Sequence, residues 1–153
     1  AMQSHTTYSM VDALLRTKKY WRQEAEITAR AKELLKVVHL SGKEDLEADN
    51  LPYGEQRRLE IARALATDMK LLLLDEPVSG LDPRVTAEMY ELIERLNREE
   101  SITVMMISHD ISAALRYASH ILHIGDAVFF GTKADYLRSP QGKVFDSGKG
   151  GEA

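Results

Sequence analysis

Apolar residues recur at helical spacing in two segments of the chain. The first stripe occupies positions i, i+4, i+7, i+8 and i+11, and its members are Ile27, Ala31, Leu34, Leu35 and Val38. The second follows Pro83, a residue suited to the first turn of a helix, and contains Val85, Met89, Leu92, Ile93 and Leu96. We therefore expect two amphipathic helices, and the glycine of Ser41-Gly42 is placed to end the first one.

Two shorter apolar runs are typical of buried parallel strands. Leu71–Leu74 stops at Asp75-Glu76-Pro77, and Ile102–Ile107 stops at Ser108-His109-Asp110. With the helix between them they form a βαβ unit, for which a right-handed crossover is expected. The remaining segments predict a turn at 51–54, helices at 55–67 and 111–118, a hairpin with strands at 121–124 and 127–130, and a flexible tail from 139.

Three polar side chains are predicted at one edge of this sheet. Asp75 and Glu76 end the first strand, and His109 ends the second. Open α/β sheets bind ligands beyond the carboxyl ends of their strands, so we expect the three groups to converge there. Each also has a structural alternative, because Asp75 and Glu76 could cap a helix, and His109 could be a turn residue beside Asp110, which could itself cap the next helix.

Composition narrows the possible functions. Of 153 residues, 44% are hydrophobic and 29% are charged, which is typical of a soluble globular domain. The apolar runs are too short to cross a bilayer, so we expect no direct membrane insertion. The sequence has no cysteine, which excludes disulfides and thiolate chemistry. A net charge of −4 disfavours nucleic acid as a partner, and the arginines 57, 58 and 63 stand among Glu55 and Glu60.

Four segments resemble, in order and spacing, the motifs of ATP-binding cassette (ABC) ATPases. They are the signature segment (Leu51–Arg58), the Walker B segment (Leu71–Pro77), the D-loop (Ser79–Asp82) and the histidine switch (Ser108-His109-Asp110). The resemblance implies an α/β fold, namely part of a P-loop NTPase-type nucleotide-binding domain. It implies a helical subdomain over 1–67, a partial core with part of the parallel sheet over 68–138, and a tail over 139–153.

The resemblance also implies roles for individual residues. Asp75 would hold Mg²⁺, Glu76 would act as general base toward water, and His109 would contact the γ-phosphate or position that water. The signature helix would contact ATP held by the other subunit of a head-to-tail dimer, homodimeric or heterodimeric, with Asp82 near the dimer seam. The residues implied in that contact are Leu51, Pro52, Tyr53, Gly54, Glu55 and Gln56.

Two residues depart from the family pattern. Pro52 stands where the family usually has a serine whose hydroxyl contacts phosphate, and Glu55 stands where it usually has glutamine. The phosphate loop Gly-x4-Gly-Lys-Ser/Thr is also absent, because Gly42-Lys43, Gly142-Lys143 and Gly148-Lys149 lack its spacing and its hydroxyl. We therefore expect the C-terminal portion of a nucleotide-binding domain, with weak ATP binding and negligible hydrolysis by these residues alone.

The two halves of the chain resemble different importers. Residues 21–64 are most similar to ATPases of branched-chain amino acid importers, and residues 121–145 are more similar to those of metal-ion importers. A chimera joined within 70–77 and a divergent subfamily both account for this. By family analogy, residues 9–67 would contact the transmembrane permease subunits, which places the protein in the cytoplasm at the inner face of the membrane.

Three functions remain open from the sequence. The first is the ATP-hydrolysing subunit of a solute importer, with ATP and Mg²⁺ as cofactors. The second is a non-catalytic interaction module that docks or dimerises without ATP, which the missing phosphate loop favours. The third is a stand-alone hydrolase that uses Asp75, Glu76 and His109.

Overall fold

The computed structural model describes residues 17–147, which form two compact units divided between Met106 and Ile107. The helices are α1 (Lys18–Val37), α2 (Tyr53–Leu65), α3 (Pro83–Arg98), α4 (Ile111–Tyr117), α5 (Lys133–Arg138) and α6 (Pro140–Ser147). The strands are β1 (Leu71–Asp75), β2 (Thr103–Ile107), β3 (His120–His123) and β4 (Phe129–Thr132). Within the described range, no helix combines the length and the apolar character needed to span a bilayer.

The first predicted stripe lies on α1 except for its last member, Val38, which is the C-cap residue of this helix and is fully buried. The predicted end of this helix is wrong by a few residues. His39 has the left-handed backbone conformation, with φ of 59°. The N–H of His39 donates to the Lys36 carbonyl, and the N–H of Leu40 donates to that of Leu35. This bonding pattern closes the helix before Gly42, which instead occupies the left-handed position of a later turn.

The turn predicted at 51–54 is shorter in the structure. A 3₁₀ helix over Ala48–Asn50 precedes Leu51 and Pro52, and α2 begins directly at Tyr53. Tyr53 and Gly54 therefore lie in the first helical turn. This agrees with the preference for proline beside a helix start, because its fixed φ leads the chain into the helix without needing an N–H donor.

The predicted βαβ unit is present. β1 and β2 are neighbours in a parallel pair, and α3 connects them. The Asp82 carboxylate accepts hydrogen bonds from the N–H groups of Arg84 and Val85, so it caps the helix that Pro83 opens. Four members of the apolar stripe of α3, Met89, Leu92, Ile93 and Leu96, are buried as predicted, and Val85 is partly exposed. The largest fully buried side chains are Leu40, Met89, Leu92, Leu96 and Val38, which all lie in the first unit.

The prediction that both strands are fully buried is wrong. In β1, Leu72 is 4% exposed, whereas Leu73 is 65% exposed. In β2, Met105 is half exposed, and its neighbours along the strand are partly covered. Alternate side chains of a strand point to opposite faces of the sheet. An unbroken run of apolar residues therefore does not show whether one face or both faces are covered. Within the described residues, one face of this pair is therefore solvent-exposed.

The second unit contains the predicted hairpin. β3 and β4 are antiparallel, with His120 opposite Thr132 and His123 opposite Phe129. The second strand begins two residues later than predicted. Part of the predicted flexible tail is helical, because Pro140 opens α6 and the Ser139 hydroxyl accepts a hydrogen bond from the Gly142 N–H. The rest of that tail, and residues 1–16 of the predicted helical subdomain, lie outside the described residues.

Candidate functional site

The N-terminus of α2 has no side-chain cap. Its N-cap residue is Pro52, which offers neither a hydroxyl nor a carboxylate. The first N–H groups of any helix lack acceptors within the helix, and they give this end a partial positive charge. The N–H groups of Tyr53 and Gly54 are in this position. Pro52 therefore removes the hydroxyl contact that a serine would make, but the backbone donors remain.

A hydrogen bond between two of its own residues holds the signature segment in place. Leu51 is buried, and its carbonyl accepts a hydrogen bond of 2.9 Å from the Gln56 side-chain amide. The amide nitrogen of Gln56 thus holds the chain at the entry to α2, and the nucleotide contact implied for Gln56 stays a prediction. This hydrogen bond orients the helix start for which the sequence predicts a phosphate contact.

The signature segment and the D-loop lie against each other. A Cβ added to Gly54 would lie 2.5 Å from Cγ1 of Val85, so a larger residue at this position would force Val85 or the backbone of α2 to move. Gly80 has a φ of 75°, and a Cβ added there would lie 3.7 Å from Cε1 of the Tyr53 ring. An open cavity of about 280 Å³ lies between these elements. Its lining includes Pro52, Tyr53, Gly54, Glu55, Gly80, Leu81 and Asp82.

Glu55, the second departure from the family pattern, is ion-paired. Its carboxylate accepts a hydrogen bond from Nζ of Lys43, which lies in the turn after α1. The Glu55 side chain is 25% exposed and that of Lys43 is 36% exposed. The negative charge expected beside a phosphate is therefore matched by a lysine, a partner that the sequence alone did not indicate.

Tyr53 and Arg57 form a local cluster on the exposed side of α2. The Arg57 guanidinium lies 5.1 Å from the centre of the Tyr53 ring and donates to its hydroxyl at 2.7 and 3.1 Å. Glu60 also accepts from Arg57, and the two hydrogen bonds, that of Glu60 first, raise the pKa of the arginine. Arg57 is thus engaged by contacts within α2.

Arg58 is the buried charge of the site, at 9% exposure. Its guanidinium donates to the carboxylate of Glu88 on α3, and Arg84 donates to the other oxygen of Glu88. The hydrogen bond from Arg58 lowers the pKa of Glu88, and Arg84 adds to the effect. The sequence indicates Arg58 as the last residue of the signature segment and as one of three arginines, but it does not indicate the contact with Glu88, because a partner 30 residues away leaves no local signal.

The Walker B residues stand at the end of β1. Asp75 is its exposed last residue, and Glu76 follows with a left-handed φ of 44°. The Glu76 carbonyl accepts a hydrogen bond from the Ser79 N–H, which starts the turn toward the D-loop. Left-handed backbone is unfavourable for a residue with a side chain, so this conformation is a local strain of the kind found at functional sites.

His109 lies in the loop after β2. The Asp110 N–H donates to the Ser108 hydroxyl, and the Asp110 carboxylate accepts from the Ala113 N–H, which caps α4 as expected. His109 itself is exposed between these two turn residues. The predicted convergence of Asp75, Glu76 and His109 involves residues from both compact units and stays a prediction.

The described residues contain no group of three or more histidine, aspartate or glutamate side chains arranged to hold a metal ion. A single strand-end carboxylate such as Asp75 suits Mg²⁺, which commonly takes one or two protein carboxylates together with phosphate oxygens and water. The chemistry of this donor is therefore compatible with Mg²⁺ bound together with a nucleotide.

Comparison with known proteins identifies a matching family. The model of the family described as "ABC transporter" matches residues 2–79. The chain is 36% identical over 124 residues to BraF of Pseudomonas aeruginosa, a high-affinity branched-chain amino acid transport ATP-binding protein, covering 81% of this chain and 49% of BraF. It is 34% identical over 133 residues to LivG of Escherichia coli, which carries the same description, covering 86% and 52%.

The fold agrees with solved structures. The chain superposes with a TM-score of 0.69 and 28% identity on cbiO1 of Clostridium perfringens, part of the ABC transporter complex cbiONQ, covering 77% of this chain and 48% of that one. The chain spans about half the length of the curated relatives it matches. The alignment with BraF is long enough to extend across residues 70–77, where the sequence suggested a junction, so a single relative resembles both sides.

Proposed function

The chain belongs to the ABC transporter family of ATP-binding proteins, and we propose from this membership that it supplies the signature and Walker B parts of an importer's nucleotide-binding domain. The observation that most directly supports this is the contact between the signature segment and the D-loop, two motifs separated in sequence by α2 and β1. The uncapped start of α2 and the D-loop share one cavity. Helix N-termini of this kind bind phosphate through their free N–H groups.

We propose that Leu51–Gln56 contact an ATP molecule carried mainly by a second nucleotide-binding subunit. Tyr53 and Gly54 both line the cavity, and the Tyr53 side chain is exposed. Asp82 would lie near the seam between the subunits, where its carboxylate fixes the start of α3. A head-to-tail homodimer or heterodimer satisfies this arrangement.

The proposed chemistry is water attack on the γ-phosphate. Asp75 would hold Mg²⁺, which supplies charge neutralisation for the phosphate oxygens when bound. Glu76 would take a proton from the attacking water, a contribution of about 10²–10⁴-fold in rate. His109 would donate a hydrogen bond to a phosphate oxygen or orient the water. Phosphoryl transfer depends mainly on such positioning and charge stabilisation.

These 153 residues contain no phosphate loop, so we propose that they require one supplied by another polypeptide segment for efficient hydrolysis. On this proposal, Mg-ATP binding by the chain alone is weak. Calorimetry that detected micromolar binding by the chain would contradict it.

The helical region around α1 and α2 is proposed to contact transmembrane permease subunits at the inner face of the membrane. α1 exposes Trp21 among charged residues, which gives the outer surface of this region an aromatic anchor. The solute would then be selected by the permease and not by these residues.

A hybrid protein tests the proposed catalysis. This chain would replace the aligned part of Escherichia coli LivG, and phosphate release with Mg-ATP would be measured for the hybrid and its Glu76→Gln variant. We expect hydrolysis by the hybrid and a loss of at least about 100-fold in the variant. Glu94→Gln, which removes a carboxylate from an exposed pair with Arg98 on α3, is the matched control and should retain activity.

The same experiment separates the alternatives. A folded hybrid whose activity is insensitive to Glu76→Gln would remove Glu76 from the role of base. A hybrid that binds permease but hydrolyses no ATP would favour the non-catalytic interaction module, which the absence of a phosphate loop in this sequence supports. Glu76-dependent phosphate release by the chain alone would favour the stand-alone hydrolase.

A further inference from the structure

Glu55 occupies a position in which its charge opposes the proposed phosphate contact. It is the third residue of α2, within the turn whose free N–H groups and dipole attract anions. A carboxylate there is attracted by the same positive end of the helix dipole that would attract a phosphate. Unless it is balanced, its negative charge would repel the nucleotide.

Lys43 provides that balance. Its Nζ donates to Oε2 of Glu55, and both side chains are partly covered. The backbone around Lys43 is fixed, because its N–H donates to the Leu40 carbonyl and its carbonyl accepts from the Leu46 N–H. Gly42, with φ of 80°, makes the preceding turn possible. A lysine from outside α2 is thus held against the first turn of that helix.

The other charged groups lining the cavity are engaged elsewhere. Asp82 caps α3 through the N–H groups of Arg84 and Val85. The guanidinium of Arg58 donates to Glu88. These contacts direct the positive charge of Arg58 toward α3, so Lys43 is the cation that meets Glu55 directly.

We propose that Lys43 is a positioning residue that neutralises and orients Glu55, so that the start of α2 can accept a nucleotide phosphate although glutamate stands where the family has glutamine. This inference rests on the proposed function, because Lys43 would support a residue beside the proposed contact between the signature segment and ATP. Lys43 acts through Glu55, so its importance should disappear when that carboxylate is removed.

Four forms of the LivG hybrid test this, because the hybrid supplies the phosphate loop that these 153 residues lack. Each form carries Glu76→Gln to prevent turnover of ATP. The four forms are the wild type at positions 43 and 55, Lys43→Met, Glu55→Gln and the double variant. Each ¹⁵N-labelled protein is titrated with Mg-ATP at fixed low ionic strength, and the amide shifts of Tyr53 and Gly54 give the dissociation constant. We expect Lys43→Met to weaken binding about three- to tenfold, the scale of one uncompensated charge near a phosphate. Glu55→Gln should bind at least as tightly as the wild type, and adding Lys43→Met to it should change binding less than twofold.

Lys36→Met is the matched control, because it removes a lysine from an exposed pair with Glu33 on α1 and should leave binding unchanged. Thermal melting of each variant confirms that it folds. Equal weakening by Lys43→Met with and without the Glu55 carboxylate would overturn the inference and make Lys43 a direct phosphate ligand. A dissociation constant that Lys43→Met leaves unchanged, with either glutamate or glutamine at position 55, would also overturn the inference. Absence of shifts at Tyr53 and Gly54 in all four proteins would instead overturn the proposed signature contact, and this inference with it.

Discussion

Arg58 on α2 donates a hydrogen bond to Glu88 on α3, and this contact joins the signature helix to the helix that follows the D-loop. Arg84, one turn before Glu88, donates to the same carboxylate. Arg58 is buried, so loss of Glu88 would leave a buried positive charge without its partner. The relative position of the two helices, and hence of the two motifs at their starts, depends on a charge pair that no local sequence pattern indicates.

The Arg58–Glu88 contact predicts a pH dependence of stability. Hydrogen bonds from Arg58 and Arg84 lower the pKa of Glu88 in the folded protein. The stabilisation is therefore complete above the ordinary glutamate pKa of about 4.3 and is lost as the pH falls below it toward the folded-state pKa. Glu88→Gln should melt below the wild type at pH 7, and the difference should shrink by pH 3. A difference that is equal at both pH values would contradict this account.

Gly54→Ala should destabilise the protein although alanine is the better helix former. The added methyl would lie 2.5 Å from Cγ1 of Val85, and a β-branched side chain has little freedom to move. We expect a cost of about 1–3 kcal/mol, more than the gain in helix propensity of up to about 1 kcal/mol. Urea unfolding measures it. Val85→Ala should recover part of the loss in the double variant, and strictly additive costs would show that this contact is not the cause.

Asp82→Ala should cost about 1 kcal/mol of unfolding free energy, because the carboxylate caps α3 through two N–H groups. Asp82→Asn retains an acceptor oxygen and should remain within a few tenths of a kcal/mol of the wild type. Chemical denaturation of the three proteins provides the comparison. Equal losses of unfolding free energy in both variants would show that the charge of Asp82, and not its capping hydrogen bonds, stabilises the protein.

The two faces of β1 should respond differently to the same substitution. Leu72 is 4% exposed, so Leu72→Ala should cost about 2–4 kcal/mol. Leu73 is 65% exposed, and Leu73→Ala should cost less than about 1 kcal/mol. Thermal or urea unfolding of both variants tests this. A large loss at Leu73 would show that its face is covered in solution, for example by a second copy of the chain.

Sequence predicted the helices best where one face is buried. The stripe of α3 identified its core residues because the helical period alone determines which side chains point inward. The predicted burial of β1 was wrong because the run of leucines does not show which neighbouring elements cover each face of the strand. The end of α1 was also misplaced, since His39 adopts a conformation usually left to glycine and backbone hydrogen bonds stabilise it.

The candidate site was predicted in part. The motifs located Gly54, Asp75 and Asp82, and the structure accounts for the first through packing and for the third through capping. The Lys43–Glu55 contact could not be predicted, because it depends on a turn that brings together residues 12 apart. The roles of Asp75, Glu76 and His109 stay predictions.

The left-handed backbone at Glu76 bears on how this position can evolve. Asparagine or glycine would adopt that conformation at a lower energetic cost, by about 1 kcal/mol. Selection for folding alone would therefore favour drift away from glutamate. A lineage that lost the chemistry but kept the fold should show this replacement early, so descendants with glycine or asparagine at this position would mark the branches in which catalysis was abandoned.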